Sequence, residues 1–334
     1  MIDVVIVGAG PVGLACAVRA RREGLESVVF DKGAIVNSLV GYPANMEFFS
    51  TPELIEIGGH PFPTTGYKPV REEAIEYYRR VAETEELTLR LYEAVRRVDG
   101  EKGAFRVVTE KGILEARHVV IAIGFFDYPN LMEVPGEDLP KVTHYYKEPY
   151  PYAGQQVAVV GARNSAAKAA LDCYRHGATV TLIVRAPALS EKIKYWIKPD
   201  LENRIKEGSI TALYDTSVEE ITETSVVVRT SGARHEIEND WVIAMTGYHP
   251  DYTFLEGLGI DIGRDLHCTP VYDERSFETS RPGIYIAGTV CGGYLTSRWF
   301  IENGRFHARQ IMSHIATGST ADLDLEERHW KTAE

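Results

Sequence analysis

An α/β protein with two Rossmann-like units, each a three-layer ββα arrangement, is what the sequence predicts, on three observations. A strand, a glycine turn, a helix and a second strand follow one another twice, about 150 residues apart. Each copy is followed by hairpin-like strands and then by a buried strand that stops at a glycine. The strands flanking both turns are unbroken Val/Ile/Leu runs, as expected of parallel strands covered on both faces.

In chain order, residues 4–7 form an apolar strand that runs into Gly8-Ala9-Gly10-Pro11-Val12-Gly13. Residues 14–23 have helical spacing, and residues 28–30 form a second buried strand closed by Asp31. Strands at 105–109 and 113–115 read as a hairpin, and residues 119–123 form a buried strand ending at Gly124. The second copy opens with a strand at 157–160 and the turn Gly161-Ala162-Arg163-Asn164-Ser165-Ala166. A helix to Gly177 and a strand at 180–184 follow, then short strands at 218–221, 225–230 and 235–238. Residues 241–245 stop at Thr246-Gly247, and residues 284–287 stop at Gly288. A helix is predicted from about Ser297 to His314, and the polar tail after Thr317 is predicted to be a solvated surface segment.

At 334 residues, with 44% hydrophobic and 25% charged residues, the chain is long enough for two ordinary domains. No apolar run approaches the roughly 20 residues of a membrane span, and no leader pattern opens the chain. A cytoplasmic protein without a membrane partner is expected. The 36 basic and 48 acidic residues give a net −12, which disfavours nucleic acid as a partner. Cys16, Cys173, Cys268 and Cys291 are far apart, with no CxxC, so no metal site of the zinc-ribbon or iron–sulfur type is expected.

The first turn has the context that dinucleotide chemistry requires: a strand before it, a helix after it, and Asp31 ending the next strand, 18 residues after Gly13. Gly8 permits the tight turn, Gly10 lets backbone approach a pyrophosphate, and Gly13 allows close packing of helix on strand. The helix start at Pro11 and Val12 offers free N–H groups and a positive dipole end. Asp31 can accept both ribose hydroxyls and would repel a 2′-phosphate, so this site suits FAD or NAD rather than NADP.

These residues resemble the thioredoxin-reductase-like, two-dinucleotide flavoprotein reductases over nearly the whole chain. Within them the chain is most similar to the bacillithiol disulfide reductase family, in residues 31–43, 48–54, 57–59, 69–71, 77–79, 247–252 and 300–307. The resemblance implies FAD in a discontinuous domain, about 1–125 plus 249–334, with an NADPH domain at 126–248 inserted in it. It implies Val95 against the adenine and Ile123-Gly124 beside the FAD pyrophosphate; Lys32 and Ser38, in the first matched segment, are further candidates for FAD contact. It also implies a low-molecular-weight disulfide substrate, bacillithiol disulfide. A homo-oligomer, dimer or tetramer, is the expected assembly.

The second turn keeps Gly161 but has Arg163 at the second glycine position and Ala166 at the third. Arg163 must close the turn with its backbone while its side chain points away. Asn164 and Ser165 stand at the helix start, where amide and hydroxyl can cap phosphate oxygens. The ribose-reading position is Arg185, not an acid, and Lys192 and Lys194 follow. A cation there accommodates a 2′-phosphate and favours NADPH over NADH. The two lysines read equally well as solvated surface charge.

Residues 283–288 resemble the superfamily strand that ends under the ribityl chain, but Thr289 stands where most members place Asp. The following segment, Arg298, Trp299 and Phe300, is expected at the flavin pyrimidine edge, where N–H groups and a helix dipole stabilise negative charge by roughly 0.3–2 kcal/mol, though Arg298 reads equally well as surface-facing. Thioredoxin reductases carry a CxxC just before the second turn; this chain has His144-Tyr145-Tyr146-Lys147-Glu148. Thioredoxin reduction by the usual dithiol route is thereby excluded. Cys291, three residues after Gly288, reads either as a mixed-disulfide partner, the one candidate catalytic residue, or as a small buried thiol. Some relatives carry a cysteine inside the first turn, where this chain has Val12. Direct reduction by flavin hydroquinone, with His249 or His307 protonating the leaving thiolate, is the other route. Crossings near Gly124 and Gly247 are compatible with domain rotation and equally with a static arrangement. A ferredoxin- or flavodoxin-NADP reductase and a non-enzymatic flavin/NADPH redox sensor are the rival readings.

Overall fold

The computed structural model describes residues 1–320; the tail beyond that, expected to be a solvated segment, lies outside the described residues. Contacts divide the chain into two compact units. The first comprises Met1–Gly41, Asn45–Tyr128 and the described residues from Tyr248 on; the second comprises Tyr42–Ala44 and Pro129–Gly247. That Tyr42–Ala44 belongs with the second unit was invisible in the sequence; there the Ala44 amide donates to the Lys147 carbonyl at 2.8 Å.

In the first unit Ile2–Val7 lies parallel between Ser27–Phe30 and Ile113–Ile121, with Val5 facing Val28 on one side and Val119 on the other. Val4, Val5 and Ile6 are wholly buried, and each such side chain stabilises by roughly 1.5–3 kcal/mol. Ile113–Ile121 is a single strand where the sequence suggested a hairpin arm and a separate buried strand. Its first half pairs antiparallel with Ala104–Thr109 and its second half parallel with Ile284–Ile286. Arg117 and His118 interrupt the apolar run while the backbone ladder continues through them. The Pro11–Arg22 helix packs against His307–Thr317, completing the helical layer.

The expected helix from Ser297 is shorter and broken. It begins at Ile301, ends at Gly304, and resumes at His307. Phe300 is extended, and the Asn303 side chain takes up the backbone around it: Oδ1 accepts from the Phe300 amide at 2.7 Å, and Nδ2 donates to the Arg298 carbonyl at 3.0 Å. A helical start at Ser297 would forfeit both bonds.

In the second unit Gln156–Val160 lies between Thr179–Ile183 and Trp241–Ala244 in a five-stranded sheet whose every pairing is parallel. A separate three-stranded meander, Thr216–Ile221, Ser225–Thr230 and Ala233–Glu238, packs on it through Ala158, Ile183, Ile221, Val226, Val228 and Val242. The expected duplication of strand, turn, helix and strand is present in both units.

Candidate active site

The strand Ile2–Val7 stops because Gly8 turns at φ 111°, with its amide donating to the Phe30 carbonyl at 2.7 Å. A Cβ on Gly8 would lie 2.4 Å from the Ala122 carbonyl oxygen, and one on Gly13 would lie 1.9 Å from the Gly8 carbonyl oxygen. A Cβ on Gly10 would meet nothing within 4 Å. The turn is therefore closed against its own sheet and open outward at Gly10. Pro11 takes the first helical position, where no N–H is needed, and the first-turn amides after it have no intrahelical acceptor. An anionic group fits this cradle.

Asp31 is held at the cradle's edge. Oδ2 accepts the Ala9 amide and Oδ1 the Gly33 amide, both at 2.8 Å, leaving a lone pair on each oxygen for a hydroxyl. Burial raises its carboxyl above the usual carboxylate value, partly offset by those two amides. Lys32 is committed to Asp127 at 3.0 Å and lies over the Tyr128 ring. Ser38 is half-buried in the short Asn37–Gly41 helix, which follows Val36, whose amide bonds the Ala9 carbonyl. Val95 is buried at the start of Val95–Glu101.

Three glycine turns converge here. Gly124, at φ 68°, lies so that a Cβ would be 3.5 Å from Thr289 Oγ1, so the Thr289 hydroxyl faces the turn after Ile123. Gly288, at φ 81°, lies so that a Cβ would be 3.1 Å from Val12 Cβ. Arg298, by contrast, reaches Glu274 at 3.1 Å, and Phe300 is exposed. Trp299 is buried edge-on to His307, with ring centroids 4.4 Å apart.

The structure distinguishes the two candidate histidines. His307 is buried and its Nδ1 accepts the Gly288 amide at 3.1 Å, so the ring proton sits on Nε2. His249 Nδ1 is 2.8 Å from the Pro250 carbonyl, which can only accept, so Nδ1 carries the proton and Nε2 is the basic nitrogen. Around His249 stand Tyr294, Tyr252 and Tyr128, at centroid distances of 5.5, 5.8 and 6.0 Å. Tyr128 donates to Asp251 at 2.7 Å. This aromatic cluster escaped the sequence reading; Tyr248-His249-Pro250-Asp251-Tyr252 was its only local signal, and Tyr128 and Tyr294 join it through the fold.

Cys291 is wholly buried, and desolvation pushes its thiol well above the ordinary value. Its Sγ lies 3.9 Å from His307 Nδ1, whose lone pair already accepts the Gly288 amide. Thiolate, the nucleophilic form, is disfavoured there. Cys16 and Cys173 are likewise buried, and desolvation pushes each to about 12.

The second turn repeats the first with different contents. Gly161 turns at φ 142°, its amide donates to the Ile183 carbonyl at 3.0 Å, and a Cβ on it would lie 2.6 Å from the Met245 carbonyl oxygen. Ala166 is buried, Arg163 is extended and exposed, and Ser165 is exposed. Arg163, Arg185 and Lys192 are exposed and form no ion pair among the described residues. Asn164 departs from its expected use. Its Nδ2 donates to the Lys192 carbonyl at 3.1 Å and its Oδ1 accepts the Lys194 amide at 2.9 Å, so it ties down a loop.

In the stretch where a dithiol would stand, Tyr146 is buried and donates to Asp172 at 2.5 Å. No group of three metal-ligating side chains occurs among the described residues, and none of their helices is long and apolar enough to cross a membrane.

A parallel strand that ends in a glycine cradle at a helix start, built twice in one chain, is the arrangement of a two-dinucleotide oxidoreductase, and the chain belongs to the pyridine nucleotide-disulphide oxidoreductase family, whose model matches residues 5–288. It is a flavoprotein enzyme that uses NAD(P)H. Among relatives it is similar to the bacilliredoxin reductase Bdr of Bacillus subtilis, 42% identical over 93% of this chain and 97% of that one. It is also similar to the solved bacillithiol disulfide reductase Bdr (YpdA) of Bacillus cereus, at 40% identity, TM-score 0.92, and coverage of 95% and 99%. Thioredoxin reductase of T. acidophilum, at 24% identity, TM-score 0.76 and coverage of 95% and 98%, shares the fold. The resemblance stated from the matched segments is borne out, and neither the ferredoxin reductase nor the sensor reading is favoured.

Proposed function

We propose that this chain uses NADPH to reduce bacillithiol disulfide, NADPH + H⁺ + RSSR giving NADP⁺ + 2 RSH. The observation that carries the reading is the opposite charge at the two ribose-reading positions, Asp31 anchored in the first turn and Arg185, without an ion pair among the described residues, beside the second. On this reading residues 1–125 and 249–334 hold FAD, and residues 126–248 hold NADPH. Gly8, Gly10, Pro11, Val12 and Gly13 cradle the FAD pyrophosphate, Asp31 takes the ribose, and Lys32, Ser38 and Val95 line the adenosine side. Ile123 and Gly124 stand beside the FAD pyrophosphate, Gly288 and Thr289 flank the ribityl chain, and Arg298, Trp299 and Phe300 the flavin edge. Gly161, Arg163, Ser165, Ala166, Arg185 and Lys192 form the NADPH site, while Asn164 holds the loop that carries Lys192 and makes no contact with the nucleotide.

Bound in the first unit, FAD supplies the two-electron relay between nicotinamide and disulfide. The chain's own part is positional and protic. His249, fixed as the Nδ1–H tautomer, takes up the H⁺ of the overall equation on Nε2 and passes it to the leaving thiolate, with Tyr128, Tyr252 and Tyr294 as an apolar shelf for the thiol. Cys291 packs and takes no covalent role; its burial and its raised pKa support that reading over a mixed disulfide. A cytoplasmic homo-oligomer, dimer or tetramer, completes the proposal, to be read by light scattering on the purified protein.

The test is NADPH oxidation by the FAD-loaded protein against bacillithiol disulfide, glutathione disulfide, cystine, an oxidised bacilliredoxin and ferredoxin. Preferential turnover of bacillithiol disulfide supports the proposal. Turnover confined to bacilliredoxin or to ferredoxin overturns the substrate.

A further inference from the structure

The loop that carries Lys192 is strapped across the start of the Asn164–Arg175 helix. Its first tie is the Ser190 amide on the Ala162 carbonyl, at 3.1 Å. The other two belong to one side chain: Asn164 Nδ2 reaches the Lys192 carbonyl at 3.1 Å, and Asn164 Oδ1 receives the Lys194 amide at 2.9 Å. Asn164 thus grips the backbone on both sides of Ile193, whose side chain is buried beneath. Lys192 is exposed and forms no ion pair among the described residues. Its four-carbon side chain carries high rotamer entropy, so a fixed backbone is what limits where its charge can sit.

We propose that Asn164 is the positioning residue for 2′-phosphate selectivity: it locks the 190–194 loop and so limits where the Lys192 ammonium can meet the 2′-phosphate that Arg185 reads, without itself touching the phosphate. This rests on the reading of the second unit as the NADPH site. A residue serving only the pyrophosphate would act on NADPH and NADH alike. A residue acting through the loop discriminates between them, because only NADPH carries the group that the loop's cation meets.

The test is Asn164→Ala, with 2′,5′-ADP and 5′-AMP titrated calorimetrically into the FAD-loaded protein and KM measured for NADPH and NADH. The expected result is about ten-fold weaker 2′,5′-ADP binding, a matching rise in NADPH KM, and 5′-AMP and NADH values within about two-fold of wild type. Lys192→Met should give a similar loss, and the double variant little more, since both act through one charge. Equal losses for phosphorylated and unphosphorylated ligands, or fully additive variants, would overturn the lock. A wild type that binds 5′-AMP as tightly as 2′,5′-ADP would instead remove the NADPH reading and the lock with it. Amide hydrogen exchange of intact wild type gives a reading without any variant: the Lys194 amide should be protected, and rapid exchange there sinks the proposal.

Discussion

The two glycine turns are the same device built to different tolerances. Each ends a buried parallel strand, and each donates its first glycine amide to the neighbouring strand, at 2.7 Å from Gly8 and 3.0 Å from Gly161. Each presses that glycine against a carbonyl, of Ala122 in one and Met245 in the other. They differ in how closely the helix approaches. At Gly13 there is no room for a methyl group, whereas the second helix carries Ala166 at the matching position. They differ also in charge. Asp31 is bonded into the first turn through two backbone amides, while Arg185 stands exposed with no ion pair among the described residues. An acid must be held still to accept two hydroxyls without the desolvation of its charge prevailing; a cation awaiting a mobile phosphate gains from staying solvated.

The comparison can be broken most sharply at Gly13. Gly13→Ala places a methyl group 1.9 Å from the Gly8 carbonyl oxygen, so the helix must back away. Overpacking of this kind destabilises by about 1–3 kcal/mol, and the variant should purify with little FAD, read from its visible absorbance. The mirror change, Ala166→Gly, should lower stability by only about 0.5–1 kcal/mol and leave FAD content unchanged. Equal effects from the two would refute the difference in tolerance.

Next in size is Arg185→Glu. Replacing a charge-assisted contact worth about 1.5–3 kcal/mol by a repulsive one should raise NADPH KM at least ten-fold and spare NADH, measured by steady-state kinetics. An unchanged ratio would mean that Arg185 reads no phosphate.

A smaller effect is expected from Asp31→Asn in the nucleotide-free protein. Because the folded chain raises the Asp31 pKa, the native state holds that proton more tightly than the unfolded state does. The strain of ionised Asp31 is fully present above the raised folded value and fades as pH falls toward the ordinary carboxylate value. Wild type should therefore gain melting temperature relative to the variant as pH falls through that window. A difference independent of pH contradicts the assignment.

The smallest effect is chemical silence. Cys16 and Cys173, on the helices after the two turns, and Cys291 should resist iodoacetamide in the folded protein at pH 8, because burial holds all three as thiols. Mass spectrometry should find only the half-exposed Cys268 labelled. Rapid labelling of Cys291 would reopen a thiol route.

Much of this architecture could be read from residue order, and the reason is local. Continuous apolar runs mark buried parallel strands, and glycines spaced as in residues 8–13 are needed wherever backbone abuts backbone. The acid at 31 and the cation at 185 declare their preference by charge alone, since each ends the second strand of its own copy. What the order of residues could not show depends on side chains arriving from distant segments. Asn164 reads as a phosphate cap until the loop at 190–194 is seen to consume its amide. Cys291 reads as a packed thiol more readily than as a nucleophile, and its complete burial decides that the thiol form prevails. The tautomers of His249 and His307 rest on single hydrogen bonds, to a carbonyl in one and from an amide in the other. The chain's own order therefore determined two cradles and their signs. Tertiary packing decided which polar groups remain available to a ligand, because availability is set by what the neighbours have already taken.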